Sequence, residues 1–185
     1  MKKYILLVVV LLAFGFANAQ NAKFGFKAGV DFATAKIFIP GSARGSLDPN
    51  TIPPDITHTT SETGVYLGAL VDITASEKFH IQPEALIVFI KNSKQLQIPL
   101  LAKYYITEKF SLLTGPDLLV DLDNGAGTMT NTMGVGFDFG GSFDVTKNFS
   151  ADLKYNLGIT NLIKNPIDGV KMTISGLFIG VNYKL

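Results

Sequence analysis

From residue 23 to the C terminus the chain alternates apolar and polar positions with a period of two, and β-branched and aromatic residues fill one parity. That period belongs to strands with two unlike faces, and it predicts eight of them: 23–34, 62–73, 79–90, 96–106, 110–121, 132–145, a stretch beginning at Phe149, and 173–185. In the first, Phe24, Phe26, Ala28, Val30 and Phe32 oppose Lys23, Gly25, Lys27, Gly29 and Asp31. In the sixth, Met133, Val135, Phe137, Phe139 and Phe143 oppose Gly134, Gly136, Asp138, Gly140, Ser142 and Asp144. The seventh sets Phe149, Ala151, Leu153, Tyr155 and Leu157 against Ser150, Asp152, Lys154, Asn156 and Gly158.

The connections alternate in length. Three are short and repeat one pattern, an aliphatic residue, a polar turn and then phenylalanine: Ile73 to Phe79, Ile106 to Phe110, and Val145 to Phe149. This is an internal hairpin repeat. The others are read as loops at 35–61, 91–95, 122–131 and 160–171. Short turns on one rim, longer loops on the other and an even strand count predict an all-β chain, an eight-stranded antiparallel up-and-down transmembrane β-barrel. The short turns then face the periplasm.

Ahead of this pattern, Lys2 and Lys3 precede an apolar run from Ile5 to Phe14, and Ala17-Asn18-Ala19 has the small-x-small form of a signal-peptidase site. Residues 1–19 therefore read as a cleaved signal peptide and 20–185 as one barrel domain. The run is well short of the ~20 residues a spanning helix needs, which argues against an uncleaved anchor. Of the sixteen basic residues two lie in the leader, leaving fourteen against fifteen acidic ones, so no electrostatic case for nucleic acid exists. The chain has no cysteine, which excludes disulfides, thiolate metal sites and an acceptor thiol for a lipid anchor. Mean hydropathy is nonetheless positive, although no stretch after residue 20 is apolar for long enough to span as a helix. A membrane barrel reconciles the two, because its lipid-facing residues alternate with lumen-facing ones.

Alternation alone does not say which face points outward; a secreted lipocalin-like barrel would turn its apolar face inward. The polar parity carries glycines and both signs of charge, including Lys27, Asp31, Glu84, Lys103, Asp138, Asp152 and Lys154. Opposite charges can pair within a narrow lumen, and glycine fits where side chains crowd. On the apolar parity Phe79, Phe110 and Phe149, with Tyr104, Phe143 and Tyr183, fall where an aromatic girdle would meet the periplasmic interface. The apolar face is therefore taken as lipid-facing and the seven charged residues as lining the lumen. Pro83, Pro99 and Pro116 lie inside strands, where each removes a ladder donor, so bulges or locally weakened pairing are expected there.

The stretch Phe24-Gly25-Phe26-Lys27-Ala28-Gly29-Val30-Asp31-Phe32, the run from Ile98-Pro99-Leu100-Leu101 to Tyr105, Gly115-Pro116, and Lys154-Tyr155-Asn156-Leu157-Gly158 resemble the outer-membrane "porin family" barrels common in Bacteroidota. Those proteins are similar in turn to the small OmpA/OmpX-type barrels, and the resemblance covers essentially the whole chain after the leader. It implies that the strand prolines are a family trait. This chain ends in Leu185 where such barrels usually carry an aromatic assembly signal. The family has no agreed biochemical activity, so the resemblance transfers no functional residue.

Candidate chemistry is sparse. The histidines are His58, placed in the first long loop beside Thr57, Thr59, Ser61 and Glu62, and His80, on the polar parity beside a periplasmic turn. A hydrolase needs a base next to a nucleophile and an orienting carboxylate, and one loop histidine argues no such triad. Asp117, Asp121, Asp123 and Asn124 before Gly125 hint at a calcium loop, but Ala126 and Thr132 stand where its glycine and closing glutamate belong. Gly134-x-Gly136 and Gly140-Gly141 lie in an alternating strand with no following helix, so they read as lumen packing rather than a nucleotide loop. Asn148-x-Ser150 matches a glycosylation acceptor pattern by chance.

The function expected from the sequence is a non-enzymatic outer-membrane barrel with a side-chain-filled lumen and no cofactor or metal. It would act through its long extracellular loops, above all 35–61 with Pro40, Pro49, Pro53 and Pro54, in adhesion, partner binding or envelope integrity. Its partners would be outer-membrane lipid, the barrel-assembly machinery and an extracellular partner on that loop. A narrow porin-like channel for ions or small solutes is the alternative.

Overall fold

The computed structural model describes residues 22–44, 52–91, 93–123, 130–166 and 169–185. The leader expected over 1–19 lies outside them, as do Asn124, Gly125 and Ala126 of the acidic loop. Eight antiparallel strands close into a barrel in sequence order. They are β1 (Ala22–Ile39), β2 (Ile56–Thr74), β3 (Phe79–Ile90), β4 (Ser93–Tyr105), β5 (Phe110–Asp121), β6 (Met133–Asp144), β7 (Phe149–Gly158) and β8 (Lys171–Lys184). Closure runs from Gly25↔Lys184 to Phe38↔Lys171, so neither terminal strand is left as an edge along that seam.

The two parities separate by face. Phe26, Leu67, Leu100, Phe139, Leu153 and Tyr183 point outward and are exposed, whereas Lys27, Glu84, Lys103, Asp138 and Lys154 are buried inside. The exterior is a continuous apolar surface around a charged lumen, the reverse of a water-soluble barrel and the arrangement of a transmembrane one. Among the described residues no helix is long and apolar enough to cross a membrane.

The hairpin repeat has a physical cause. In each short turn a hydroxyl accepts the backbone N–H of the phenylalanine that opens the next strand: Ser76 Oγ for Phe79 at 3.1 Å, Thr107 Oγ1 for Phe110 at 2.9 Å, and Thr146 Oγ1 for Phe149 at 3.0 Å. The N–H of the same Ser or Thr donates back to the phenylalanine carbonyl at 2.9, 3.2 and 3.0 Å. The residue type fixes the turn and so the register of both strands.

The structure corrects the loop boundaries on the other rim. Residues 35–61 are not one loop: β1 and β2 continue pairing from Ala35↔Thr60 to Ile39↔Ile56. Past Glu62 both faces of β2 are exposed, so apolar alternation disappears, while the threonines keep a strand preference that periodicity does not register. His58 therefore stands in a strand, opposite Ile37. Likewise β4 begins at Ser93 rather than at Leu96, and β8 begins at Lys171 rather than at Thr173.

The strand prolines do not introduce bulges. Pairing lapses between Leu70↔Glu84 and Ile73↔Ile81, between Pro83↔Leu100 and Leu86↔Gln97, and between Pro99↔Asp117 and Ala102↔Thr114. Register is the same on either side of every lapse. The missing donors are thus absorbed as gaps in three successive ladders, the second of the two outcomes expected.

Candidate functional site

The lumen is filled from the short-turn rim upward. At that rim Asp72 of β2 accepts from His80 Nδ1 of β3 at 2.6 Å and pairs with Lys184 of β8 at 3.1 Å. Asp144 of β6 takes a hydrogen bond from the Tyr105 hydroxyl of β4 at 2.8 Å and lies 3.6 Å from Lys184 and 3.8 Å from Lys103. A cleft of about 550 Å³ opens to solvent beside this cluster, with His80, Tyr105 and Asp144 among its walls.

Above it a chain of charges crosses the barrel. Lys27 Nζ lies 2.8 Å from both Asp152 and Glu84; Glu84 lies 3.6 Å from Lys154; and Lys154 pairs with Asp138 at 2.6 Å. Asn156 continues the chain, donating through Nδ2 to Asp138 at 2.6 Å and to Asp117 at 2.9 Å. Gln82 adds a donor to Glu84 at 2.7 Å. Several of these contacts join strands that are not neighbours: β1 to β3 and β7, β3 to β7, and β5 to β7. They bridge the lumen rather than line it. Charges taken out of water are tolerated only when paired in this way.

Towards the loop rim the filling becomes apolar. Tyr66 and Phe178 meet edge to face at 5.4 Å, and Ala33, Leu86, Val88 and Ile90 complete the cluster. A Cβ on Gly180 would run into the Tyr66 hydroxyl, whereas one on Gly29 would first meet the Ile179 carbonyl and the Gly180 Cα across the ladder. Leu162, from the connection between β7 and β8, is buried at the mouth and is held by Asn131 N–H on its carbonyl at 2.6 Å and by its own N–H on Met172 O at 2.9 Å.

Six of the seven residues read as lumen-lining belong to these contacts: Lys27, Glu84, Asp138, Asp152 and Lys154 in the central chain and Lys103 at the rim. Asp31 is equally buried but forms none of these ion pairs among the described residues. Asp72, Asp117, Asp144, Asn156 and Lys184 are not among the seven residues read as lumen-lining from sequence, although all lie on the polar parity of their strands. The apolar plug was not anticipated either, since Leu86, Val88 and Ile90 occupy the parity read as polar.

Neither histidine forms a catalytic arrangement. His58 is exposed on β2. His80 has an orienting carboxylate in Asp72, but no hydroxyl bonds its ring among the described residues; its other neighbour is the Tyr105 ring at 5.0 Å. Among the described residues no cluster of three potential metal ligands occurs.

The comparison with solved structures yields neisserial surface protein A, 17% identical over 89% of this chain and 99% of that one, at a TM-score of 0.54. The chain has the fold of the small outer-membrane β-barrels. Ail, the attachment invasion locus protein of Yersinia pestis, superposes more loosely, at 13% identity, 89% and 99% coverage and a TM-score of 0.48. So does the outer membrane protease OmpT of Escherichia coli, at 8%, 91% and 98%, and 0.39. No family model matches the chain, and no curated protein does.

Proposed function

We propose that this is a non-enzymatic outer-membrane barrel, of the porin-family type common in Bacteroidota, whose filled lumen passes no solute and whose working surface is its outer loop rim. Export through a cleaved leader at 1–19, insertion of the 20–185 domain by the barrel-assembly machinery and orientation with the short turns in the periplasm belong to the same reading. The observation that carries it is the contrast between the two ends of the barrel. Inside, lysines and carboxylates, most of them on non-neighbouring strands, are joined within 3.6 Å beneath an apolar cluster, which supports a filled lumen. Outside, β2 rises past its partner: pairing with β3 ends at Gly64↔Ile90, while Ile56–Thr63 pair only with β1 among the described residues. The segment from Thr57 to Thr63 is fully exposed. A strand edge standing clear of the membrane offers unpaired N–H and C=O groups to an extended partner segment, the usual basis of strand addition.

The test is conductance of the refolded barrel in planar bilayers, with heat-dependent gel mobility as proof of folding. Folded protein without conductance steps is expected. Reproducible steps from folded protein would replace this reading with a narrow channel, its path lined by Lys27, Glu84, Lys103 and Asp138.

A further inference from the structure

The lipid-facing parity of the eight strands carries charge in one place only. Among the described residues its charged members are Lys36 on β1, Lys94 on β4 and Lys171 on β8, all exposed at the loop rim, and no acidic residue faces outward anywhere on the strands. Lys91 follows β3 at the same rim and is also exposed. None of the four forms an ion pair among the described residues. The pattern is one of sign as well as place, since acidic side chains would keep a rim wet equally well.

Two of these lysines flank a cleft of about 380 Å³ whose walls are Phe89, Ile90, Lys91, Ser93, Lys94 and Asp123. Lys94 stands opposite Phe89 across the β3–β4 ladder. The Lys94 backbone N–H donates to Asp123 Oδ2 at 2.6 Å and its carbonyl accepts from Leu122 N–H at 2.9 Å, so the strand end carrying it is fixed. Directly below lie the outward pairs Ile87↔Leu96 and Leu96↔Val120, part of the apolar belt. Lys91 and Lys94 thus border the cleft directly above an apolar strip, and the Asp123 carboxylate in its wall is already engaged by the Lys94 backbone N–H. The combination recurs on β1 and β8, where Lys171 stands opposite Phe38, with Lys36 one outward position below.

From this geometry we propose that the Lys91–Lys94 cleft binds the phosphate group of a phosphorylated lipid of the outer leaflet, whose acyl chains lie on Phe89, Leu96 and Val120. The ammonium groups supply charge-assisted hydrogen bonds to the phosphate oxygens, and their stems lie along the apolar belt. The inference rests on the membrane embedding of the proposed function, with the loop rim outward.

The experiment uses protein expressed from the full-length sequence and folded into phosphatidylcholine nanodiscs containing a minor fraction of phosphatidic acid, the retained lipid being counted by native mass spectrometry. The parent barrel should retain phosphatidic acid in preference to phosphatidylcholine. Lys91→Gln/Lys94→Gln should weaken that retention by about thirtyfold, at about fivefold per lysine near an anionic surface. Lys78→Gln/Lys109→Gln, an equal charge change at the opposite rim, should leave it intact. Lys91→Gln alone is a water-exposed turn substitution that provides a folded variant should the double one fold poorly. Equal loss in both double variants, or no preference in the parent, would overturn the proposal. So would displacement of the lipid by inorganic phosphate, which would assign the cleft to the free anion. Failure of the parent to insert into pure phosphatidylcholine would overturn the embedding as well. Insertion without lipid preference would overturn this inference alone.

Discussion

Leu153→Arg probes the outer surface most directly. Leu153 sits midway along β7, is 53% exposed, and has Gly141 and Ile179 as cross-strand partners, with no charged residue on its face of the strand. An arginine at mid-membrane on a barrel exterior costs about 2–4 kcal/mol, falling to about 0–1 near the interfaces. Gly141 offers no side chain for cover, so the guanidinium must snorkel past Tyr155 or Ala151 to reach water, and the upper half of that range is expected. The folding constant in vesicles should then drop by about 150- to 900-fold. Phe149→Arg, at the girdle end of the same strand, provides the gradient, with Leu153→Ala and Phe149→Leu as references for the lost side chains. Urea titration of vesicle-folded protein, read by heat-dependent gel mobility, gives each free energy. An exterior facing water would return values within about 0.5 kcal/mol at both positions. Equal costs at Leu153 and Phe149 would refute the lipid-facing assignment.

Other substitutions address the lumen and the turns. Lys154→Met strips Asp138 of its 2.6 Å partner and Glu84 of one of two cations, and should destabilise by about 3–5 kcal/mol; adding Asp138→Leu should recover part of that in a double-mutant cycle. Gly180→Ala drives a methyl group into the Tyr66 hydroxyl and should cost about 1–3 kcal/mol, relieved by Tyr66→Phe; absence of relief would show that the glycine serves the backbone instead. Thr107→Ala removes the hydroxyl that accepts Phe110 N–H and should cost about 1 kcal/mol, whereas Thr107→Ser should not. Replacing residues 40–55 with a short turn should leave heat-dependent mobility unchanged, since β1 and β2 are paired below that point; loss of folding would place the loop in the barrel's stability.

The parts of this fold legible in the sequence are those where an inside-outside contrast meets the strand period. β5 keeps the range 110–121 that alternation predicts, because an apolar exterior lies on one face and a lumen carrying Ser111 and Asp117 on the other. Legibility fails where either contrast vanishes. From Thr57 to Thr63 both faces of β2 meet solvent, and a paired strand looks like loop. At Leu86, Val88 and Ile90 both faces of β3 are apolar, so the plug merges into the belt and the parity no longer says which side is in. Individual ion pairs were illegible for another reason. Alternation puts Lys27, Glu84 and Asp152 in one lumen, but which of them meet depends on how the strands stagger around the closed sheet, and that is set by turns and pairing rather than by any one strand.

The three strand prolines show how the lumen and the ladder share the task of holding the barrel together. Each removes a donor, and the lapses fall in three successive ladders, so the wall from β2 to β5 is the sector whose pairing is interrupted. The register nevertheless stays constant across each lapse. Three buried contacts tie that sector to β1 and β7 from within: Lys27 and Lys154 hold Glu84 beside Pro83, and Asn156 holds Asp117 beside Pro116. A slip by one residue would turn Glu84 and Asp117 out into lipid, at a cost far above that of the missing ladder bonds. The buried carboxylates therefore add to the turns in holding the register of the proline sector. Glu84→Leu with Asp117→Leu should loosen it selectively, seen as faster amide exchange in β3–β5 than in β7–β8. Uniform protection across all the strands in that variant would return the register to the turns alone.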